Sequence, residues 1–338
     1  MSRYYAHKVG YQEMGSIAFP GDRPHRGRYF LISKQCLSFF PQLSSVVLND
    51  KCILTVVPMF KDREQQKVLC TMDYHNQKFA DITYSKANPR DEVRFYMNNA
   101  IDPDLYYRQD DYVVFEKIIK EEETIYSLTR ITPEEKGYET ITHYMEQSSH
   151  NTNVLIDEEL DFIEQPTIGT DAIVTITEDA EKLLEEESKV VIDHIDEEES
   201  EFEEKYGSAL FNSVSFRDFV MNAYQYKCAI THRSIRYKDL LNLEAAHIKP
   251  QAHNGKFLPC YGIAMSRDMH FAFDKGFFTI GDDYKVIVSE KLQGNWFYEE
   301  YNGTEIFVPE VDFFKPEKRF LHYHQEHIFD TFQQIRRL

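Results

Sequence analysis

The chain has 338 residues, of which 42% are hydrophobic and 28% charged, and its formal net charge is −19. This composition excludes a disordered or collagen-like chain, and the length predicts a multidomain protein, since one core rarely organises more than about 250–300 residues. No apolar run approaches the roughly 18 residues that a membrane-spanning helix needs. Because the amino terminus also lacks a signal-peptide pattern, we expect a cytoplasmic protein with no membrane partner. The five cysteines form no C-x-x-C pair, which argues against a disulfide framework and a cysteine-built zinc site.

The excess negative charge is concentrated in one segment. Residues 151–205 hold 3 basic and 20 acidic residues, whereas residues 1–150 hold 19 and 21, and residues 206–338 hold 16 and 16. The charge therefore predicts an acidic linker at 151–205 between two nearly neutral domains, 1–150 and 206–338. A nucleic-acid partner, which basic residues must bind, is not excluded by a charge so localised.

Residues 1–150 have the pattern of a β-rich domain. Short runs of β-branched and aromatic residues alternate with turn residues. These runs are Tyr29–Ile32, 52–57, 67–72, 111–118 and 124–131. The Gly/Pro-rich loop 21–28 carries Arg23, Arg26 and Arg28, which predicts contacts with phosphates or base edges. A plain surface loop is the alternative.

The linker becomes helical in character from about Glu178, where apolar residues recur among glutamates. We expect an exposed amphipathic helix or a flexible tether. The apolar stripe of this helix is a candidate surface for a homodimer.

Residues 206–338 combine helices with short strands. Apolar residues recur at helical spacing over 216–224, and strands are predicted around 243–248 and 262–265. A helix then begins after Ser266, its expected N-cap, and ends before Gly276, which suits a left-handed terminating position. A β-hairpin is predicted over 277–288.

Three segments of this domain carry a composite motif. They read Y-K-C-A-I-T at 226–231, L-E-A-A-H-I-K-P at 243–250, and Y-G-I-A-M-S-R-D-M-H-F-A-F-D-K-G at 261–276. Together they resemble the HNH nuclease family, in the branch whose motif runs C-A-(I/V)-T, A-A-H-I-x-P, N-G-(I/L)-x-L and H-x-x-F-D-x-G. The resemblance covers roughly residues 215–330 and implies a ββα-metal fold for the carboxyl-terminal domain.

The resemblance assigns chemistry to particular residues. It implies that His247 is the general base that activates water, and a neutral imidazole suits that role. It places His270 and Asp274 at a divalent metal, Mg²⁺ or alternatively Mn²⁺. Their i, i+4 spacing puts both side chains on one helix face. A carboxylate that merely holds the helical turn is the alternative for Asp274.

Two positions depart from the family pattern. The aspartate that many members carry before the base histidine is Ala246 here, which leaves Glu244, phosphate oxygens and water as further metal ligands. The asparagine of the middle element is replaced by Tyr261, which we assign to the catalytic group in its place. Both changes leave the ligand set open.

The first domain faintly resembles the DNA-binding pseudobarrel of EcoRII-type amino-terminal domains and plant transcription factors. The likeness runs over 92–96, 110–117 and 126–131. It implies that Arg94, together with the three loop arginines, contacts double-stranded DNA, and we add Lys249, beside the nuclease motif, to these DNA-binding residues. A β domain that binds protein or stabilises the nuclease is the alternative.

The sequence therefore predicts a restriction-type, metal-dependent DNA endonuclease of a phage-defence system. Its fold class is multidomain α+β, with a pseudobarrel-like first domain, an acidic helical linker and an HNH domain. One alternative is a nuclease directed to modified bases, which flips a base into an aromatic pocket. An alternative from another class is a non-catalytic DNA-binding regulator with a decayed HNH fold.

Overall fold

A computed structural model describes most of the chain and divides it into two compact units, Met1–Leu184 and Glu185–Leu338. The described residues are 3–17, 28–77, 89–120, 123–149, 152–169, 172–193, 211, 213–238 and 240–332. The first unit extends past the predicted boundary at residue 150, because two strands from the predicted linker belong to its sheet.

The first unit is built on one mixed sheet, as the β-rich pattern predicted. Its strands are β1 (Tyr4–Lys8), β2 (Tyr29–Ile32), β3 (Lys51–Pro58), β4 (Lys67–His75), β5 (Glu92–Tyr96), β6 (Tyr112–Lys120), β7 (Glu123–Ile131), β8 (Asn153–Ile156) and β9 (Val174–Ile176). Two helices accompany them: α1 (Tyr138–Gln147), and α2 (Glu178–Asp193), of which the residues up to Leu184 belong to this unit.

The sheet follows the order β2-β5-β4-β3-β7-β6-β1-β8, and β9 pairs with β4. Neighbouring strands along this path are antiparallel except for β3 and β7. Its two end strands approach each other where the Ser33 N–H, directly after β2, donates a hydrogen bond of 3.3 Å to the Asn153 side chain in β8. The sheet is therefore close to a closed barrel, which removes most of the unpaired edge that an open sheet exposes.

Aromatic residues fill the interior of the first unit. The rings of Phe30 and Phe95 face each other across β2 and β5, with centroids 6.1 Å apart, and Tyr107 meets Phe30 edge-on. Along β5, buried and partly exposed residues alternate, as expected for a strand with one face on the core. Most of the Phe and Tyr content of this unit is thus structural.

The second unit combines three hairpins with four helices in the described residues. Its elements are α3 (Ser213–Ala223), β10 (Arg236–Tyr237), β11 (Leu240–Leu241), β12 (Leu243–His247), β13 (Gly262–Ser266), α4 (Arg267–Asp274), β14 (Phe278–Ile280), β15 (Val286–Val288), α5 (Trp296–Tyr301) and α6 (Lys318–His327). The predicted hairpin over 277–288 corresponds to β14 and β15, which pair antiparallel.

The hairpin β12–β13 lies at the centre of the second unit. Its register pairs His247 with Gly262 and Glu244 with Met265, and α4 follows β13 directly. A Cβ on Gly262 would lie 2.4 Å from Val220 and 2.7 Å from Phe216, so only glycine lets α3 pack this closely. The hairpin is thereby fixed between elements that come before and after it in the chain.

The helix α4 begins and ends at the predicted residues. Gly276 has φ +71°, the left-handed conformation expected at the end of a helix. Ser266 occupies the N-cap position, but its hydroxyl makes no capping hydrogen bond and is buried without a partner. None of the helices in the described part of the chain is long and apolar enough to cross a membrane.

Candidate active site

His247 is the last residue of β12, at the point where the strand leaves the hairpin. Its ring stacks on Phe216 of α3, with centroids 4.2 Å apart, and meets Phe257 edge-on at 5.6 Å. Two apolar rings therefore shield the imidazole from water. Its Nε2 atom is buried and has no hydrogen-bond partner.

The pKa of His247 is lowered from 6.5 to about 4, mainly by burial. The nearby His270 acts in the same direction, and a hydrogen bond with the backbone of Lys256 opposes both. A hydrogen bond that favours the charged form is one that the ring donates. Since Nε2 has no partner, this bond is made through Nδ1. The imidazole is therefore neutral at physiological pH, with the lone pair of Nε2 uncommitted.

A tight turn joins His247 to the residue that holds its ring. The Gly255 N–H donates to the Pro250 carbonyl at 3.0 Å, and the His253 N–H donates to the same carbonyl at 2.8 Å. A Cβ on Gly255 would lie 2.0 Å from the Lys249 carbonyl oxygen, so the turn requires glycine at this position. The turn returns the chain to Lys256, whose backbone orients the His247 ring.

Four charged or titratable side chains meet between β12 and α4. The His270 Nδ1 lies 2.7 Å from Glu244 Oε2, and its Nε2 lies 3.4 Å from Asp274 Oδ2. Arg267 Nε lies 3.2 Å from the other oxygen of Glu244. The i, i+4 spacing thus places His270 beside Asp274 as predicted, and the hairpin register adds Glu244.

These donors fit a divalent cation by their chemistry. Carboxylate oxygens and an imidazole nitrogen are common ligands of Mg²⁺ and Mn²⁺. Burial raises the pKa of Asp274 above its usual value and the Glu244 charge adds to this, while His270 and Lys275 lower it. A cation would relieve the repulsion between the two carboxylates. As placed, however, no three His, Cys, Asp or Glu side chains of the described residues are arranged to hold a metal ion.

Sequence reasoning missed two side chains of the candidate site: Arg267, which contacts Glu244, and Phe216, which stacks on His247. Arg267 precedes His270 by three residues, an i, i+3 spacing that places both on one face of a helix, so the sequence did carry a signal for it. Phe216 lies 31 residues before His247, and no spacing rule links the two.

Tyr261 is buried in the core of the second unit. Its ring stacks on Phe320 with centroids 3.7 Å apart, and only 2% of the residue is exposed. Its carbonyl accepts a hydrogen bond of 2.7 Å from the N–H of Ile248, the residue that follows His247. This placement favours a packing role for the side chain that the sequence assigned to the catalytic group.

The predicted DNA-contacting residues lie in different surroundings. Arg23 and Arg26 are outside the described residues. Arg28 pairs with Asp102 and also donates to the Tyr107 carbonyl at 3.0 Å, so its guanidinium is engaged inside the first unit. Its predicted contact with DNA would require these bonds to break.

Arg94 and Lys249 each lie over an aromatic ring. The Arg94 guanidinium is 4.1 Å from the centre of the Tyr29 ring and donates to the Tyr96 hydroxyl at 3.3 Å. Lys249 follows His247 by two residues, and its ammonium is 5.0 Å from the centre of the Tyr323 ring. Both cations are thus held in defined positions at the surface of their unit.

The three histidines of α6 do not form one cluster. His324 is buried, stacks on Phe273, and lies 2.9 Å from the Thr279 hydroxyl, and burial lowers its pKa to about 3. His322 pairs with Glu326, and His327 stacks on Tyr323. The three side chains therefore have separate partners.

Comparison with known proteins gives a match in this unit. A sequence model of the family described as HNH endonuclease matches residues 228–281, which include His247, His270 and Asp274. No curated protein matches the chain. Five solved chains match, one of which is a modification-dependent TagI restriction endonuclease; it is 20% identical, with a TM-score of 0.28, over 37% of this chain and 40% of that chain.

Proposed function

Because the second unit carries an HNH endonuclease domain, we propose that this protein is a metal-dependent endonuclease that hydrolyses phosphodiester bonds of double-stranded DNA. The observation that carries the mechanism is the buried, unpartnered Nε2 of His247 beside the His270 group. A buried polar atom without a partner costs stability and calls for an explanation, and a role in proton transfer provides one here. The family match supports the nuclease activity itself.

In this mechanism His247 is the general base. Its Nε2 accepts a proton from the water that attacks phosphorus, while the hydrogen bond to the Lys256 backbone holds the ring in the tautomer that leaves Nε2 free. The rings of Phe216 and Phe257 keep the imidazole neutral at pH values far below its usual pKa, so that it remains able to accept a proton.

The second group of side chains supplies the metal ligands. His270 and Asp274, with Glu244 in place of the missing aspartate at Ala246, would hold a divalent cation, Mg²⁺ or alternatively Mn²⁺. When bound, the cation supplies positive charge for the developing phosphorane and the leaving oxygen. For all three side chains to reach one ion, the hydrogen bond between His270 and Glu244 and the contact between His270 and Asp274 would have to open.

Selectivity is assigned to the first unit. Arg23, Arg26 and Arg94 are the proposed DNA-contacting residues of the near-closed barrel, with Arg28 joining them once its internal bonds are released. Arginine suits this task because its guanidinium forms paired hydrogen bonds with guanine in the major groove. One nuclease site cuts one strand, so a double-strand break requires two sites or two successive events.

The test is incubation of the purified chain with plasmid and phage DNA, with and without cytosine modification, in Mg²⁺, Mn²⁺ or EDTA. Sequencing of the product ends follows. Defined ends on unmodified DNA support the proposal, and cutting confined to modified DNA supports a modification-directed nuclease. Tight binding without cutting under any metal condition overturns the nuclease assignment in favour of a regulator.

The His247→Ala variant tests the assigned base. We expect it to abolish cleavage while DNA binding and folding persist, whereas His322→Ala, an exposed histidine paired with Glu326, leaves cleavage unchanged. Unchanged cleavage by His247→Ala would remove His247 from the mechanism.

A further inference from the structure

Four side chains form a surface cluster beside His247. The Tyr323 hydroxyl lies 3.1 Å from His253 Nδ1, and the Tyr323 ring stacks on His327 with centroids 4.2 Å apart and planes inclined by 6°. The Lys249 ammonium lies 5.0 Å from the centre of the same ring. We call Lys249, His253, Tyr323 and His327 the Tyr323 cluster.

Two basic side chains engage the Tyr323 ring. A parallel imidazole at 4.2 Å covers one face, and the Lys249 ammonium lies over the ring, 5.0 Å from its centre. Cation–π contact is favourable here and restrains the long lysine side chain. The ring therefore acts as a support for two basic groups.

The cluster presents hydrogen-bond donors to solvent. His253 and His327 are exposed, and Lys249 and Tyr323 are partly exposed. The His327 Nδ1 lies 3.1 Å from the Tyr323 carbonyl, which can only accept, so Nδ1 carries the proton in that bond. Lys249 adds an ammonium with three donors. Such a set suits a phosphate group.

The cluster is joined to the catalytic base through the turn that orients it. Lys249 and His253 both lie within the segment between His247 and Lys256, and Tyr323 contacts both of them from α6. Whatever binds the cluster is therefore held within a few residues of the assigned base. The acidic side chain of α6 nearest in sequence, Glu326, has its carboxylate 3.1 Å from the His322 ring.

We propose that the Tyr323 cluster binds the phosphate backbone of the DNA strand that is cut, next to the scissile bond. This inference rests on the proposed function, since it names how that substrate is held. Lys249 provides the permanent charge, and His253 provides a donor at Nε2 when its Nδ1 accepts from the Tyr323 hydroxyl. Tyr323 fixes the geometry of both, and His327, whose Nδ1–H is used within the cluster, packs against the ring. The contact is to backbone phosphates and so positions any sequence equally well.

The test measures binding of the full chain to a short DNA duplex in EDTA, over a series of salt concentrations. Replacing one phosphate-contacting lysine lowers the slope of log K against log salt by about 0.9. We expect that loss for Lys249→Gln, with several-fold weaker binding. Tyr323→Ala should weaken binding by a similar factor although it removes no charge, because Lys249 loses its support.

A double-mutant cycle separates support from unrelated damage. If Tyr323 acts by fixing Lys249, Tyr323→Ala adds little to a Lys249→Gln background. Tyr323→Phe, which keeps the ring and loses only the hydroxyl, should retain most of the binding and shows that the fold tolerates change at this position. His322→Ala, on the same helix but outside the cluster, is the matched control with unchanged affinity and slope.

An unchanged slope for Lys249→Gln, or full additivity of Lys249→Gln and Tyr323→Ala, overturns the inference.

The proposed function and the proposed phosphate contact can fail separately. If the wild-type chain cuts DNA and the variants bind like the wild type, only the phosphate contact is wrong. If the slopes change as expected but no metal supports cutting, the nuclease assignment is wrong and the DNA contact remains.

Discussion

The imidazole of His247 lies almost face to face with the ring of Phe216, with centroids 4.2 Å apart and planes inclined by 23°. This contact joins the first helix of the second unit to the end of its central hairpin. It excludes water from one side of the imidazole, and the consequence is a pKa lowered to about 4. The assigned base is thus kept neutral mainly by packing, and the nearby His270 acts in the same direction.

The lowered pKa predicts that the second unit loses stability in mild acid. In the unfolded chain His247 takes up a proton near pH 6.5, but in the folded chain only near pH 4. The stability is therefore complete above pH 6.5 and falls as the pH drops towards 4, by up to about 1.4 kcal/mol per pH unit for one histidine. The buried His324, with its pKa lowered to about 3, acts with the same sign.

Urea unfolding at a series of pH values, followed by a probe in the second unit, measures this effect. Phe216→Ala exposes the imidazole, so the His247 pKa should rise towards 6.5 and the pH dependence should become shallower. The control His322→Gln removes an exposed histidine and should leave the dependence as it is. A stability that stays flat between pH 6.5 and 5 would contradict the burial of a neutral imidazole.

Glu244→Gln should weaken metal binding and cleavage together. The change keeps the size of the side chain but removes the charge that faces His270 at 2.7 Å. We expect the metal concentration for half-maximal cleavage to rise about 10- to 100-fold, in the range seen when ligands or their supporting groups are changed. Titration of Mn²⁺ into the cleavage reaction measures it. The control is Asp268→Asn, an exposed acidic residue of α4, and equal metal dependence in both variants would exclude Glu244 as a ligand.

Gly255→Ala should displace the His247 ring although residue 255 does not contact it directly. The added methyl group would lie 2.0 Å from the Lys249 carbonyl oxygen, so the turn must open and the hydrogen bond from the His247 ring to the Lys256 backbone shifts. A displacement of about 1 Å at a catalytic group costs up to 100-fold in rate, and overpacking costs about 1–3 kcal/mol of stability. Single-turnover cleavage and thermal unfolding measure the two effects. Gly10→Ala, whose Cβ would meet only Glu13 at 3.5 Å, is the tolerated control.

Arg28→Ala should act on the stability of the first unit. The guanidinium pairs with the buried Asp102, and its removal leaves that carboxylate as an unpaired charge, at a cost of about 3–5 kcal/mol. Arg63→Ala, which breaks an exposed pair with Asp104, should cost less than about 1 kcal/mol. Denaturant unfolding of the two variants measures the loss in the free energy of unfolding for each. Weaker DNA binding by Arg28→Ala with unchanged stability would instead favour the direct DNA contact that the sequence predicted.

Local patterns in the sequence were sufficient for most strands of the first unit. The strand Tyr29–Ile32 begins and ends at the predicted residues, and β3, β4, β6 and β7 differ from the predictions by three residues or fewer at each end. Alternation and β-branched residues report on neighbours within one strand. They carry no information on β8, whose partner β1 lies about 150 residues away, and the acidic composition around β8 and β9 predicted a linker instead.

At the candidate site, too, contacts within one element could be predicted from the sequence and contacts between elements could not. The i, i+4 spacing of His270 and Asp274 was enough to place them together, because helix geometry is local. The contact of Glu244 with His270 depends on the register of β12 against β13, and a shift of one residue would point the carboxylate to the other face. That register is set by packing across the hairpin, which no pattern within either strand reports.

The position of β1 in the sheet determines when the first unit can fold during synthesis. This strand lies between β6 and β8, so it stays without either neighbour until residue 112 and then residue 153 have been made. Contacts so distant in sequence form slowly, but all of them lie within the first 184 residues. Domains generally fold as units from the amino-terminal side. The barrel can therefore close while His247 and the proposed metal ligands are still untranslated, so the proposed recognition unit is complete before the proposed nuclease site has been made.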